Sequence, residues 1–127
     1  MTEEFKTSKP IYSQIADRII QQFVRGEIKP GEKLPSVREM AIQSGVNPNT
    51  IQRTYGELER MGVVESKRGQ GTFMTEQIDM KKKLRADIQK EMIETFIQNM
   101  RGIGVEDGEI SQAVEQFLTE KEKTGDD

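Results

Sequence analysis

Asn49, Gln52 and Arg53 stand on the side of a short amphipathic run left free by Ile51, Tyr55 and Leu58. Those three apolar residues recur at i, i+4 and i+7, which makes them the buried face of a helix. The free stripe carries two amides and a guanidinium. Such groups make paired hydrogen bonds to adenine and guanine edges in a major groove, and Gly56 in the same stripe permits close approach. An ordinary amphipathic helix with a solvated polar face has a similar composition, so the stripe alone does not choose between the two.

The segment in front of it does choose. Ser36 followed by Glu39 is a capping box that starts a helix, with Val37, Met40 and Ala41 on one apolar face. Gly45 can end that helix in the left-handed conformation. Asn47 caps the next helix at once, and Pro48 takes its first position, where the missing N–H costs nothing. Ala41, Gly45, Val46 and Ile51 supply the small residue, turn and apolar anchors of two helices crossing steeply through a tight corner. Leu34 to Tyr55 is thus predicted to be a helix-turn-helix with its second helix as the reading element.

Other elements must hold this pair. Ser8 is a plausible cap for a core helix ending at Gly26, with Ile11, Tyr12, Ile15, Ala16, Ile19, Ile20, Phe23 and Val24 as a wide apolar stripe. Ile28 suggests a short strand, and Lys29-Pro30-Gly31-Glu32 a tight turn. After the reading helix, Gly62 stops the helix. Val63 to Lys67 and Thr72 to Met74 read as two strands joined by Arg68-Gly69-Gln70-Gly71, a hairpin with a basic, glycine-rich tip. Beside a helix-turn-helix it reads as a wing whose Lys67 and Arg68 can meet phosphates or a narrow minor groove, with Gly69 letting the backbone approach. A turn that merely needs glycine would look alike. Gly69-Gln70-Gly71 is not a nucleotide loop, because the third glycine and a following helix are missing.

From Glu76 the chain turns polar and helical. Leu84, Ile88, Met92, Phe96 and Met100 step by four, widened by Ile93 and Ile97, as far as Gly102 and Gly104. A second helix within Asp107 to Glu122 is expected to turn Ile110, Ala113, Val114, Phe117 and Leu118 inward. Lys81 to Lys83 are read as a solvated charge run and the methionines as core filler. Met1 to Thr7 is expected to be a mobile arm and the tail to Asp127 frayed. The fold class is therefore mostly α with a small β-wing: a winged helix-turn-helix over residues 8–75 and a two-helix dimerisation hairpin over 76–123.

Composition excludes much else. The chain has 127 residues, with no cysteine and no histidine. Disulfides, thiol nucleophiles, imidazole bases and nearly all zinc chemistry are out, and a reducing cytoplasm is the expected setting. No catalytic site, metal or cofactor is expected, and no membrane span, since no apolar run is long enough. The net charge of -3 is unevenly placed: residues 1–76 carry eleven Lys and Arg against ten Asp and Glu, and residues 77–127 eight against twelve, so +1 and -4 give the sum. The acid lies away from the reading helix.

Leu34-Pro35-Ser36, Arg38, Gly45-Val46 and the closing Gly69 to Phe73, together with the opening Pro10-Ile11-Tyr12-Ser13-Gln14-Ile15, recur in order in one family. From about Pro10 to Thr75 the chain resembles the winged-helix domain of GntR-family bacterial transcription regulators. Asn47-Pro48-Asn49-Thr50 and the short tail resemble the YtrA-type subfamily. The resemblance implies DNA contacts from Ser36 and Arg38 in the first helix, from Asn49, Thr50, Gln52 and Arg53 in the second, and from Lys67, Arg68 and Gly69 in the wing. Many relatives carry arginine where this chain has Pro48 and Gln52, so their guanine pattern does not transfer, and Gln52 suggests an adenine contact. The expected function is a homodimeric, sequence-specific repressor binding a pseudo-palindromic double-stranded DNA operator. Subfamily resemblance points to an operon for transport or envelope functions. Two alternatives stay open: a winged helix used for protein contact, and, remotely, a small hydrolase. Larger relatives add a metabolite-binding domain, whereas about fifty residues follow the wing here. An effector site at a dimer seam is left open.

Overall fold

The computed structural model describes residues 8 to 124; the expectations for the first seven residues and the last three lie outside them. Five helices and a hairpin follow in order: α1 (Ile11–Val24), α2 (Val37–Ser44), α3 (Pro48–Arg60), β1 (Val64–Lys67), β2 (Gly71–Met74), α4 (Ile78–Gly102) and α5 (Asp107–Thr124). This is a winged helix-turn-helix followed by two helices, as the patterning predicts.

The capping box forms in full: the Ser36 hydroxyl accepts from Glu39 N at 3.1 Å, and Glu39 Oε1 accepts from Ser36 N at 2.9 Å. Gly45 takes φ 68°, a left-handed value that a β-carbon would oppose, and ends α2. Pro30 and Gly31 occupy the centre of a turn closed by Glu32 N donating to Lys29 O at 3.0 Å.

Two expectations fail in the segment before α2. Pro10, not Ser8, caps α1, its carbonyl accepting from Ser13 N and Gln14 N. A cap at Ser8 would put Lys9 in the helix directly before a proline, where the ring drives the preceding residue out of the α region. Ile28 forms no strand, because its N–H and that of Glu27 are spent on Gln22 O at the end of α1. Strand pairing falls instead on Glu32 to Leu34. Leu34 N donates to Thr72 O and Met74 N to Glu32 O, both at 2.8 Å, and Lys33 bridges antiparallel to Phe73. The wing thus has a third, very short strand beyond the β1–β2 pair.

Ile15, Ile19, Phe23, Ile51, Leu58, Val63 and Met74 form the core, gathering α1, α3 and the inner side of the wing. Its buried polar groups are all partnered. Thr54 Oγ1 lies 3.1 Å from Tyr12 O and 2.9 Å from Thr50 O, pinning α3 to α1. Arg18 Nη2 donates to Ser44 Oγ at 3.0 Å, pinning α1 to α2. Tyr55 donates its hydroxyl proton to Pro35 O at 2.7 Å, pinning α3 to the start of α2.

The chain divides into two compact units, one running to Arg85 and one from Ala86. The first includes the opening turns of α4: Lys81 Nζ stands 5.7 Å from the Phe23 ring centroid, and Met80 Cε is close against Gly62. In the second unit the chain leaves α4 through Gly104 N donating to Arg101 O and Val105 N to Met100 O. Arg101 then holds Asp107 by two hydrogen bonds, 2.8 and 2.7 Å, at the start of α5.

The inward face expected for α5 is not inward in this chain. Ile110 is buried at 8% exposure, but Phe117 is 62% and Leu118 61% exposed, and Ala113 and Val114 are exposed as well. α4 buries no residue, and Met92, Ile93 and Phe96 face solvent. An apolar helix stripe needs a second layer to cover it, and at these exposed positions the single chain supplies none.

Candidate nucleic-acid interface

α3 is aimed by its first turn. Asn47 Oδ1 accepts from Asn49 N at 2.8 Å, and Pro48 follows in the first helical position. With Ile51, Thr54, Tyr55 and Leu58 buried, the sequence dictates what stays outside. Asn49, Gln52, Arg53 and Gly56 are exposed and Thr50 is half-buried. Asn49, Gln52 and Gly56 therefore form an open polar strip able to enter a major groove.

Arg53 is not an unsupported reader. Its guanidinium carbon lies 4.1 Å from the centroid of the Tyr12 ring, so a residue of α1 forms the floor under it. Stacking leaves the N–H groups in the guanidinium plane free to meet a phosphate or a base edge.

At the start of α2, Arg38 is exposed. The Ser36 oxygen is engaged by the cap. The Glu39 carboxyl is held below the usual carboxylate range, first by the Ser36 backbone N–H and then by the Ser36 hydroxyl.

In the wing, β1 and β2 pair in the register Val64–Met74, Glu65–Phe73, Ser66–Thr72 and Lys67–Gly71. Arg68 and Gly69 stand exposed in the turn. Lys67 Nζ sits 4.7 Å from the Phe73 ring centroid, so it too is positioned by an aromatic ring. All nine residues expected to contact DNA fall in α2, its cap, α3 and the wing of the first unit. Sequence reasoning did not find Tyr12 and Phe73 as supports. Tyr12 lies in the recurring opening segment, which was the one available signal, but nothing local to the chain links it to Arg53.

Among the described residues no group of three or more acidic side chains could hold a metal ion. No helix there is long and apolar enough to cross a membrane.

Residues 11–74 match the family described as bacterial regulatory proteins, gntR family. The chain belongs to the GntR family. It is 50% identical over 117 residues to the HTH-type transcriptional regulator YhcF of Bacillus subtilis (strain 168), covering 92% of this chain and 97% of YhcF. It is 48% identical over 71 residues to the repressor YtrA of the same organism, covering 56% of this chain and 55% of YtrA. A GntR-family regulator from Listeria monocytogenes superposes with a TM-score of 0.82 at 41% identity, over 88% of this chain and 98% of that one. The DNA-binding domain of AraR, solved in complex with its operator ORR3, superposes with a TM-score of 0.51 at 33% identity, over 59% of this chain and 88% of that one. This GntR protein is accordingly a DNA-binding transcription regulator and not an enzyme.

Proposed function

We propose that this GntR regulator is a cytoplasmic, homodimeric repressor that reads a pseudo-palindromic operator. The observation that carries the dimer is the apolar face of α5, open in a single chain at Phe117 and Leu118. Large contiguous apolar faces are rare on monomers and mark interfaces. A second copy is the occupant that fits, because α4 brings its own exposed row of Met92, Ile93 and Phe96. Two copies related by a two-fold axis can cover each other's faces with residues already present. Such a pair carries two reading helices, which calls for half-sites about one helical turn, or a multiple of it, apart.

Ser36, Arg38, Asn49, Thr50, Gln52, Arg53, Lys67, Arg68 and Gly69 are the proposed DNA contacts. Among them Asn49 and Gln52 read bases and Lys67 and Arg68 hold phosphates. The repressor assignment rests on likeness to YtrA, and the YtrA-type resemblance points to genes for transport or envelope functions as the target. Selection of binding sites from randomised duplexes is the decisive experiment: it should return an inverted repeat bound with steep salt dependence. Recovery of an unrepeated sequence, or of none, would overturn the reading; the latter outcome would favour a winged helix used for protein contact. Transcript changes on deletion of the gene test the target class.

A further inference from the structure

Lys33 lies outside the hairpin and outside every element expected to touch DNA, yet the third strand brings it to the wing. Its bridge to Phe73 places Lys33, Phe73 and Glu65 in one row across the sheet. Side chains two apart on a strand share a face, so Gly71 and Lys67 form the next row on the same side. The Lys33 stem runs diagonally toward that row. A β-carbon added to Gly71 would lie 2.9 Å from Lys33 Cε and 3.7 Å from Nζ. The stem therefore rests on the bare Gly71 backbone, whose φ of 123° also excludes other residues.

We infer that Lys33 is a third phosphate-binding cation of the wing, supplied by the strand before α2 and held in place by the backbone of Gly71. The inference rests on the DNA-binding reading and deepens it. Lys33 and Lys67 approach Gly71 from its two sides, and Arg68 continues the charge into the turn. Among the described residues no carboxylate forms an ion pair with Lys33. Glu39 is near enough to feel its charge, but Glu39 Oε1 is committed to Ser36 N. Glu65 lies across Phe73 from Lys33, so the phosphate path passes the Gly71 side of the row. An ammonium is a compact point charge without the planar fork that reads guanine, and the absent side chain at Gly71 leaves room for a sugar-phosphate strand.

Lys33→Met tests this, because it keeps the stem over Gly71 and removes only the charge. The full-length variant is titrated across a salt series with the duplex recovered by selection and with a scrambled duplex of equal length. Affinity for both should fall roughly three- to tenfold, and the salt slope should shrink by about 0.9 per protomer. Lys33→Arg should restore both, and melting temperature should stay at the wild-type value. Unchanged affinity and slope would overturn the inference alone. So would a loss confined to the selected duplex, or a loss at constant slope with lowered melting. A wild-type protein that binds neither duplex would overturn the DNA reading itself and this inference with it.

Discussion

The Arg53 guanidinium stands over the Tyr12 ring with its carbon 4.1 Å from the centroid, which ties the placement of α3's outer arginine to a residue of α1. If that floor pre-organises Arg53 for DNA, Tyr12→Ala should weaken binding by about 0.5–1 kcal/mol, or two- to fivefold. Tyr12→Phe retains a ring and should bind within twofold of wild type. Duplex titration of the two variants separates stacking from a contact made by the Tyr12 hydroxyl, which would make both variants weak.

Gln52 and Arg68 should fail in different ways. Gln52→Ala is expected to remove roughly 1–3 kcal/mol at one base position and to relax preference there. Arg68→Ala should weaken all duplexes alike and flatten the salt slope. Repeating the site selection with each variant decides this; an unchanged consensus for Gln52→Ala would remove its assignment as a reader.

Phe117→Glu places a charge in the open face of α5. Sedimentation should show the variant as a monomer at micromolar concentration while wild type is dimeric, with operator binding weakened through loss of the linked second contact. Ending the chain after Arg85 should have the same effect. The cut belongs there rather than just after the wing, because Met80 lies close against Gly62 and Lys81 stands over the Phe23 ring. A truncated chain that still dimerised would place the seam in the winged helix instead.

Tyr55 predicts an alkaline limit. Burial, and second the negative Glu39, push its phenol up to about 12 from an ordinary 10. The neutral phenol is the form that fits, so its contribution is whole below pH 10 and is lost as pH rises through 12. About 2 kcal/mol is at stake, allowing for partial solvent access at the hydroxyl. Tyr55→Phe should lose about 1 kcal/mol at neutral pH, for want of the hydrogen bond to Pro35 O, and show a shallower decline between pH 10 and 12 in chemical denaturation.

What was legible in the sequence was chemistry local to the backbone. Ser36 and Glu39, Asn47 and Pro48, and Pro30 and Gly31 each satisfy or constrain groups within a turn of themselves, so spacing alone reveals them. The third wing strand was hidden because Gly31 and Pro35 bracket too few residues for an alternating pattern. Tyr12 under Arg53 and Lys33 on Gly71 were hidden because they join segments far apart in the chain. Periodicity showed that Phe117 and Leu118 share a face but carried no information on whether their cover lies in the same chain, and in this chain they stay open.

The bond from Leu34 N to Thr72 O makes the stretch containing α2 and α3 a closed ring, with the third wing strand as its clasp. A ribosome delivers both helices before it delivers the residues that fasten them. Until Thr72 to Met74 emerge, Leu34 has no β2 partner and Lys33 has no Gly71 to rest on. A chain abandoned before residues 72–74 are made therefore carries both helices with that ring still open.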